Sequence, residues 1–305
     1  MSRKSGRQTT APWLKGSMVA LVTPFQNGEV DRGALERLVE FHIREGTSAI
    51  VPCGTTGESA TLSHSEHEQV IELTLEAARG RIPVIAGTGS NNTQEALRLT
   101  RHAQRAGAQA ALLIAPYYNR PTQEGLYQHF RTIAESVDLP LILYNIASRT
   151  GVNIEPETFG RLNPIPNIVG VKEASASLEQ MSRIKAACGE GFALISGDDA
   201  LTLPVLSIGG TGVISVIANI VPKQVAQMIK FFEQGHLRKS QELHYHLLPL
   251  TKAMFMETNP IPVKTAMGLM KLIEDSALRL PLTPMSEGNL KKLKEVLNSY
   301  RLIKR

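Results

Sequence analysis

Lys172 sits where a charge is costly. Asn167-Ile168-Val169-Gly170-Val171 is an apolar, β-branched run, and it ends in Lys172-Glu173. Such a run reads as a strand buried on both faces. Burying an ammonium is expensive, and lysine is seldom found inside without a partner or a task. Desolvation lowers its pKa, and a neutral amine is a nucleophile that can form a Schiff base with a carbonyl. The alternative is a lysine whose stem lies along the sheet edge while its head reaches water. This stretch by itself favours neither.

Other residues carry complementary chemistry. In Gly54-Thr55-Thr56-Gly57-Glu58, two hydroxyls and backbone N–H groups just before a helix suit a carboxylate or phosphate. An ordinary turn is the competing reading, although two threonines between glycines serve a turn poorly. The Tyr144 phenol could exchange protons beside a forming imine, or simply anchor at a strand tip. Arg149 offers a fork for a substrate carboxylate, or a surface ion pair. His64 and His67 are spaced like metal ligands without a third ligand nearby, which favours a helix surface. His244 and His246, at i and i+2, do not share a helix face. Gly209-Gly210-Thr211-Gly212 suits a phosphate or a turn equally, and Cys53 reads as a small buried residue at a strand end.

These residues need a frame. The pattern predicts strands at Ser17–Val22, Ser48–Pro52, Pro83–Ala86, Ala110–Ala115, Leu139–Asn145, the Lys172 stretch, Ala193–Ser196 and Gly212–Val216. Helices follow them. Asp31 and Thr93 are expected caps, Ser63 with Glu66 forms a capping box, and Thr122 opens the helix before strand five. Eight strands alternating with helices point to a parallel sheet, and eight repeats to a closed (β/α)8 TIM barrel, with an open doubly wound sheet as the alternative. Such a barrel takes about 200–250 residues. The expected layout is therefore a disordered basic tail over 1–15, a barrel over 16–234, and a C-terminal helical region over 235–305 packed on it. Thr55, Thr56, Tyr117, Tyr118, Tyr144, Arg149, Lys172 and Gly197 all fall at or just beyond C-terminal strand ends, where barrels of this kind place their chemistry.

Composition excludes other classes. The 305 residues are 42% hydrophobic and 20% charged, with a formal charge of +5 partly concentrated at the two ends. No compact basic motif interleaved with aromatics suggests nucleic acid. Two cysteines give neither a disulfide framework nor a paired metal spacing, which suits a reducing compartment. No apolar stretch approaches membrane-span length, and no apolar core follows the basic start as in a secretory signal.

From about Gly16 onward the chain resembles the dihydrodipicolinate synthase family of pyruvate-dependent Schiff-base aldolases. The motifs are Gly54-Thr55-Thr56-Gly57-Glu58, Tyr117-Tyr118-Asn119-Arg120-Pro121, Leu143-Tyr144-Asn145, Ser148-Arg149-Thr150-Gly151 and Gly170-Val171-Lys172-Glu173. The Ser-Arg-Thr-Gly stretch points to the synthase rather than to a sialic-acid lyase. The resemblance implies a cytoplasmic lyase that condenses pyruvate with L-aspartate-4-semialdehyde to 4-hydroxy-tetrahydrodipicolinate, the committed step of lysine and diaminopimelate biosynthesis. It implies that Lys172 forms the imine and that Thr55 and Thr56 hold the pyruvate carboxylate. Tyr144, Thr55 and Tyr118 would relay protons, with Tyr118 supplied by a neighbour in a homotetramer built as a dimer of dimers. Arg149 would bind the semialdehyde carboxylate, and backbone groups of Gly197 and Ile214 would line the pocket. No metal or organic cofactor is implied. Ser59, Ala60, His64, His67, Asn91, Glu95 and Tyr117 match the L-lysine site of feedback-inhibited members, which replaces the helix-surface reading of the two histidines. One departure is Ala147, where the family commonly has proline, so the Arg149 loop is expected to be looser. Two rivals remain at this point: an aldolase with another aldehyde acceptor, and a non-catalytic barrel that senses lysine or pyruvate.

Overall fold

The computed structural model describes residues 11–304. Residues 1–10 of the expected basic tail lie outside them. Residues 11–15, also assigned to that tail, form a turn in which Ala11 and Leu14 are buried. The main strands, in chain order, are β1 (Gly16–Ala20), β2 (Ala49–Val51), β3 (Ile85–Gly87), β4 (Ala110–Ile114), β5 (Leu141–Asn145), β6 (Ile168–Glu173), β7 (Ala193–Ser196) and β8 (Gly212–Ser215). They alternate with helices as the sequence predicts. Where boundaries shift, proline is often the reason: β3 and β5 begin after Pro83 and Pro140, which have no N–H to give a ladder. Asn92, not Thr93, caps the helix Thr93–Ala106, its side chain accepting from the Gln94 and Glu95 backbone N–H groups. Asn outranks Thr at that position. The predicted Ser63–Glu66 capping box and the Asp31 and Thr122 caps are present.

The chain divides into two compact units, one containing Ile85–Ile214, the other Ser17–Val84 with Ser215–Arg305. In the first, β3 to β8 pair in strict chain order, every pair parallel. A sequential order is that of a barrel; the doubly wound alternative reverses direction partway. The core of this unit packs Leu113, Leu143, Val171 and Leu194 from the strands against Phe130, Ile133, Phe159, Met181 and Ile184 from the helices. Each large apolar side chain buried in this way is worth about 1.5–3 kcal/mol.

One irregularity sets the site. Leu141 pairs with Ile168, but Ile142 pairs with Gly170, so the register slips at Val169. Side chains on a strand alternate in direction, so a slip of one residue exchanges the faces beyond it. Ile168 and Val171 therefore both reach the core shared with the helices. Lys172, next after Val171, is aimed at the other side.

In the second unit β1 pairs in parallel with β2, Met18 opposite Ala49, and Ile50 bridges to Val84. The helices Arg32–Arg44 and His64–Ala78 pack together, as do Pro222–Glu233 and Leu237–Ala253. The helix Glu287–Ser299 packs on Leu237–Ala253 and on Ile261–Leu269.

Candidate active site

Lys172 ends β6 only 6% exposed. It pairs with Tyr144 of β5 and with Ile195 of β7, and its Nζ lies 4.2 Å from the centre of the Tyr144 ring. Burial pulls its pKa down from the usual lysine range to about 8; the nearby Asp199 carboxylate opposes the change and the Arg149 guanidinium reinforces it. At neutral pH a useful fraction of the side chain is therefore unprotonated amine. Of the two readings left open for this lysine, the buried one is correct.

The first unit gathers more of the expected residues around this amine. Gly197 follows β7 and donates its N–H to the Glu173 carbonyl at 2.8 Å. A Cβ there would stand 3.3 Å from Lys172 Cε and 2.7 Å from Ala174 Cβ, so glycine keeps room for the lysine stem. Asp199 is 7% exposed at the start of the short turn Asp199–Leu201. Ile214 is buried in β8. Arg149 lies exposed on a one-turn helix, Ala147–Thr150, rather than in an irregular loop. That helix closes on Gly151, and the Thr150 hydroxyl donates to the Ile146 and Val152 carbonyls. The Ala147 segment is thus hydrogen-bonded into a defined turn without the proline. Tyr118 is 90% exposed and held at φ 73°, a left-handed conformation rare for a tyrosine. Asn91 donates to the Tyr117 carbonyl at 3.1 Å, and Ser90 donates to the Glu95 carboxylate.

Sequence reading did not single out Glu173. Its carboxylate is fully buried and accepts from Asn145 Nδ2 at 3.1 and 3.2 Å, the Ser175 N–H at 2.7 Å and Gln180 Nε2 at 3.2 Å. Burial raises its pKa, and those donors hold it back. Asn145 also accepts from the Ile154 N–H and donates to Asn153, which reaches Gln180. A polar network of this kind locks the tips of β5 and β6, the strands carrying Tyr144 and Lys172. The sequence signal was its placement: a glutamate directly after the lysine in a strand otherwise apolar.

Thr55 and Thr56 belong to the second unit. Their loop is wound tighter than the sequence suggests. The N–H groups of Gly57, Glu58 and Ser59 bond to the loop's own Gly54 and Thr55 carbonyls. Ser59 and Ala60 start a short turn, Ser59–Thr61, and the helix begins only at His64, which is exposed, while His67 is buried. Cys53 is buried, as read. Thr56 Oγ1 accepts from Asn259 Nδ2 at 3.0 Å. Glu58, at φ 54°, meets Lys264 Nζ at 2.5 Å with both side chains wholly buried, and also accepts from the Arg279 N–H at 3.0 Å. Phe25 lies against both cations, its ring centre 4.0 Å from Lys264 Nζ and 4.3 Å from the Arg279 guanidinium carbon. None of Asn259, Lys264 and Arg279 was foreseen, because each comes from more than 200 positions along the chain.

Residues 13–300 match the model of the dihydrodipicolinate synthetase family. A 4-hydroxy-tetrahydrodipicolinate synthase of Syntrophus aciditrophicus is 59% identical over 291 residues, 95% of this chain and 99% of that one. The crystal structure of dihydrodipicolinate synthase from Aquifex aeolicus superposes with TM-score 0.94 at 51% identity, covering 96% of this chain and all of that one. Its match extends the (β/α)8 reading to the whole fold, C-terminal helices included. A chloride-inhibited relative from Acinetobacter baumannii is described in complex with pyruvate (47% identity, TM-score 0.93, 95% and 100% covered). One from Cyanidioschyzon merolae has lysine bound (42% identity, TM-score 0.93, 95% and 99% covered). With a lysine buried beside a tyrosine and relatives that are synthases along nearly their full length, this enzyme belongs to the dihydrodipicolinate synthetase family.

Proposed function

We propose that the enzyme condenses pyruvate with L-aspartate-4-semialdehyde through an imine on Lys172. The observation that carries this is a buried lysine with its pKa lowered to about 8, against a tyrosine ring, in a chain whose relatives are synthases of this reaction. The Lys172 amine attacks the pyruvate ketone and water leaves. Loss of a methyl proton gives an enamine, whose carbon attacks the aldehyde to form the new C–C bond. The amino group of the semialdehyde then attacks the imine carbon, closing the ring as 4-hydroxy-tetrahydrodipicolinate and returning Lys172 as free amine.

In this reading Thr55 and Thr56 hold the pyruvate carboxylate and Arg149 that of the semialdehyde. Tyr144, Thr55 and Tyr118 carry the protons, and Gly197 and Ile214 line the pocket. The lysine is itself the covalent catalyst, so no step calls on a metal or organic cofactor. A tyrosine left 90% exposed at positive φ suits one that reaches a second subunit, which supports an oligomer, with a homotetramer as our reading. L-lysine is the expected feedback inhibitor, at Ser59, Ala60, His64, His67, Asn91, Glu95 and Tyr117. The lysine-bound relative supports that assignment. A flat activity curve across millimolar lysine would sink it.

The main test is borohydride trapping with pyruvate. Intact mass should show one pyruvate-derived adduct per chain, lost in Lys172→Ala. An adduct that survives that substitution, or none in the wild type, removes the Schiff-base reading.

A further inference from the structure

We infer that Asn259 and Lys264 are positioning residues for the pyruvate carboxylate, acting through Thr56 and Glu58 of the threonine loop. The inference rests on the proposal that Thr56 holds that carboxylate.

Three consecutive loop residues are strapped from outside the loop. Asn259 Nδ2 donates to Thr56 Oγ1 at 3.0 Å, the Thr23 hydroxyl to the Gly57 carbonyl at 2.7 Å, and Lys264 Nζ to Glu58 at 2.5 Å. The first strap has a chemical consequence. A hydroxyl has one proton to donate and lone pairs to accept with. With Asn259 donating into a Thr56 lone pair, the Thr56 proton is left to point at an anion rather than at the protein. An isolated threonine could equally turn its oxygen toward the ligand, where it would repel a carboxylate. Asn259 therefore selects the useful hydroxyl orientation before pyruvate arrives.

The ion pair does the same for the backbone. Glu58 is held at φ 54°, a conformation that a glutamate leaves unless its surroundings fix it. Its carboxylate is fixed by the Lys264 ammonium and the Arg279 N–H. A wholly buried ion pair gains little over an apolar pair of the same shape. Stability alone is thus a weak reason for Lys264 and Glu58 to be there, whereas two charges can hold a loop in only one register. Asn259 and Lys264 bracket the start of helix Ile261–Leu269 in the C-terminal region, so this region's role extends to the catalytic loop.

The test titrates borohydride trapping against pyruvate in the wild type, in Asn259→Ala, and in the paired variant Glu58→Gln with Lys264→Met. The pairing removes both charges together, because Lys264→Met alone strands a buried carboxylate and endangers folding. Folding is checked by circular dichroism melts. We expect half-saturating pyruvate to rise about tenfold in each variant, equivalent to about 1.4 kcal/mol. The trapped fraction at saturating pyruvate and the pH midpoint of trapping should stay as in the wild type, since Lys172 is untouched. A lowered melting temperature with unchanged half-saturation would assign these residues a purely structural role and overturn the inference. If the paired variant does not fold, Asn259→Ala alone decides. If the wild type forms no adduct on Lys172, the proposed function fails and takes this inference with it; a normal wild-type adduct with wild-type titration in Asn259→Ala defeats the inference only.

Discussion

The Nζ of Lys172 lies 4.2 Å from the centre of the Tyr144 ring, and the two residues are direct partners across β5 and β6. The ring face and the phenol have separable roles. The face packs on the amine and shapes its surroundings; the hydroxyl is the part that can move protons. Tyr144→Phe keeps the first and removes the second. Borohydride adduct formation should persist, while turnover should fall by about 10²–10⁴-fold, the usual worth of positioned acid–base catalysis. Undiminished turnover would exclude Tyr144 from proton transfer.

The pH dependence of imine formation follows from the same amine. In the proposed mechanism only the unprotonated lysine attacks, and its pKa is about 8. At fixed, sub-saturating pyruvate, the initial trapping rate should climb with pH through about 8 and then level off. The neighbours make the assignment specific. Asp199 raises the lysine's pKa and Arg149 lowers it. Asp199→Asn should move the midpoint to lower pH and Arg149→Leu to higher pH. Shifts of the same sign, or none, would mean that another group governs the profile.

Gly197 offers a steric test. The Cβ of Gly197→Ala would fall 2.7 Å from Ala174 Cβ and 3.3 Å from Lys172 Cε. The first contact forces a backbone or side-chain shift, and the lysine stem is the mobile neighbour. Overpacking of this order costs about 1–3 kcal/mol. The variant should melt lower than the wild type and trap pyruvate more slowly at every concentration. Normal trapping would show that the pocket has slack beside the lysine.

Much of this was legible in the sequence, and the reasons it stopped are physical. Alternating apolar runs and caps located the strands, and the residues at their C-terminal ends included Lys172, Tyr144 and Arg149. Periodicity could not reveal the slip at Val169. Strict alternation from Ile168 puts Lys172 on the same face as Ile168, buried against the helices; only the pairing of Ile142 with Gly170 shows that it turns the other way. Nor could the sequence join Asn259, Lys264 and Arg279 to a loop near residue 56, since their partnership is a product of folding and no local pattern marks it. Glu173 was visible but unread: an acid after the lysine looked like the end of a strand, whereas its carboxylate is the hub of the network fixing β5 and β6.

The last prediction concerns what Lys172 costs the fold. Its pKa is about 8 when folded, against 10.5 for an unperturbed lysine in the unfolded chain. At pH 7 Lys172 is mostly protonated in both states, so folding must largely bury the ammonium; the difference corresponds to a penalty on the order of 3 kcal/mol. Between the two pKa values the unfolded chain binds the proton and the folded enzyme does not, so the stability contributed by this site rises with pH across that window. Lys172→Met fills similar space without a charge. At pH 7 it should melt above the wild type by several degrees, although it cannot form an imine. The gap should narrow steadily as pH rises from about 8 toward 10, other titrations being common to both proteins. A gap that stays constant over that range would mean that the folded enzyme keeps Lys172 protonated, and that the amine is unmasked only when pyruvate binds.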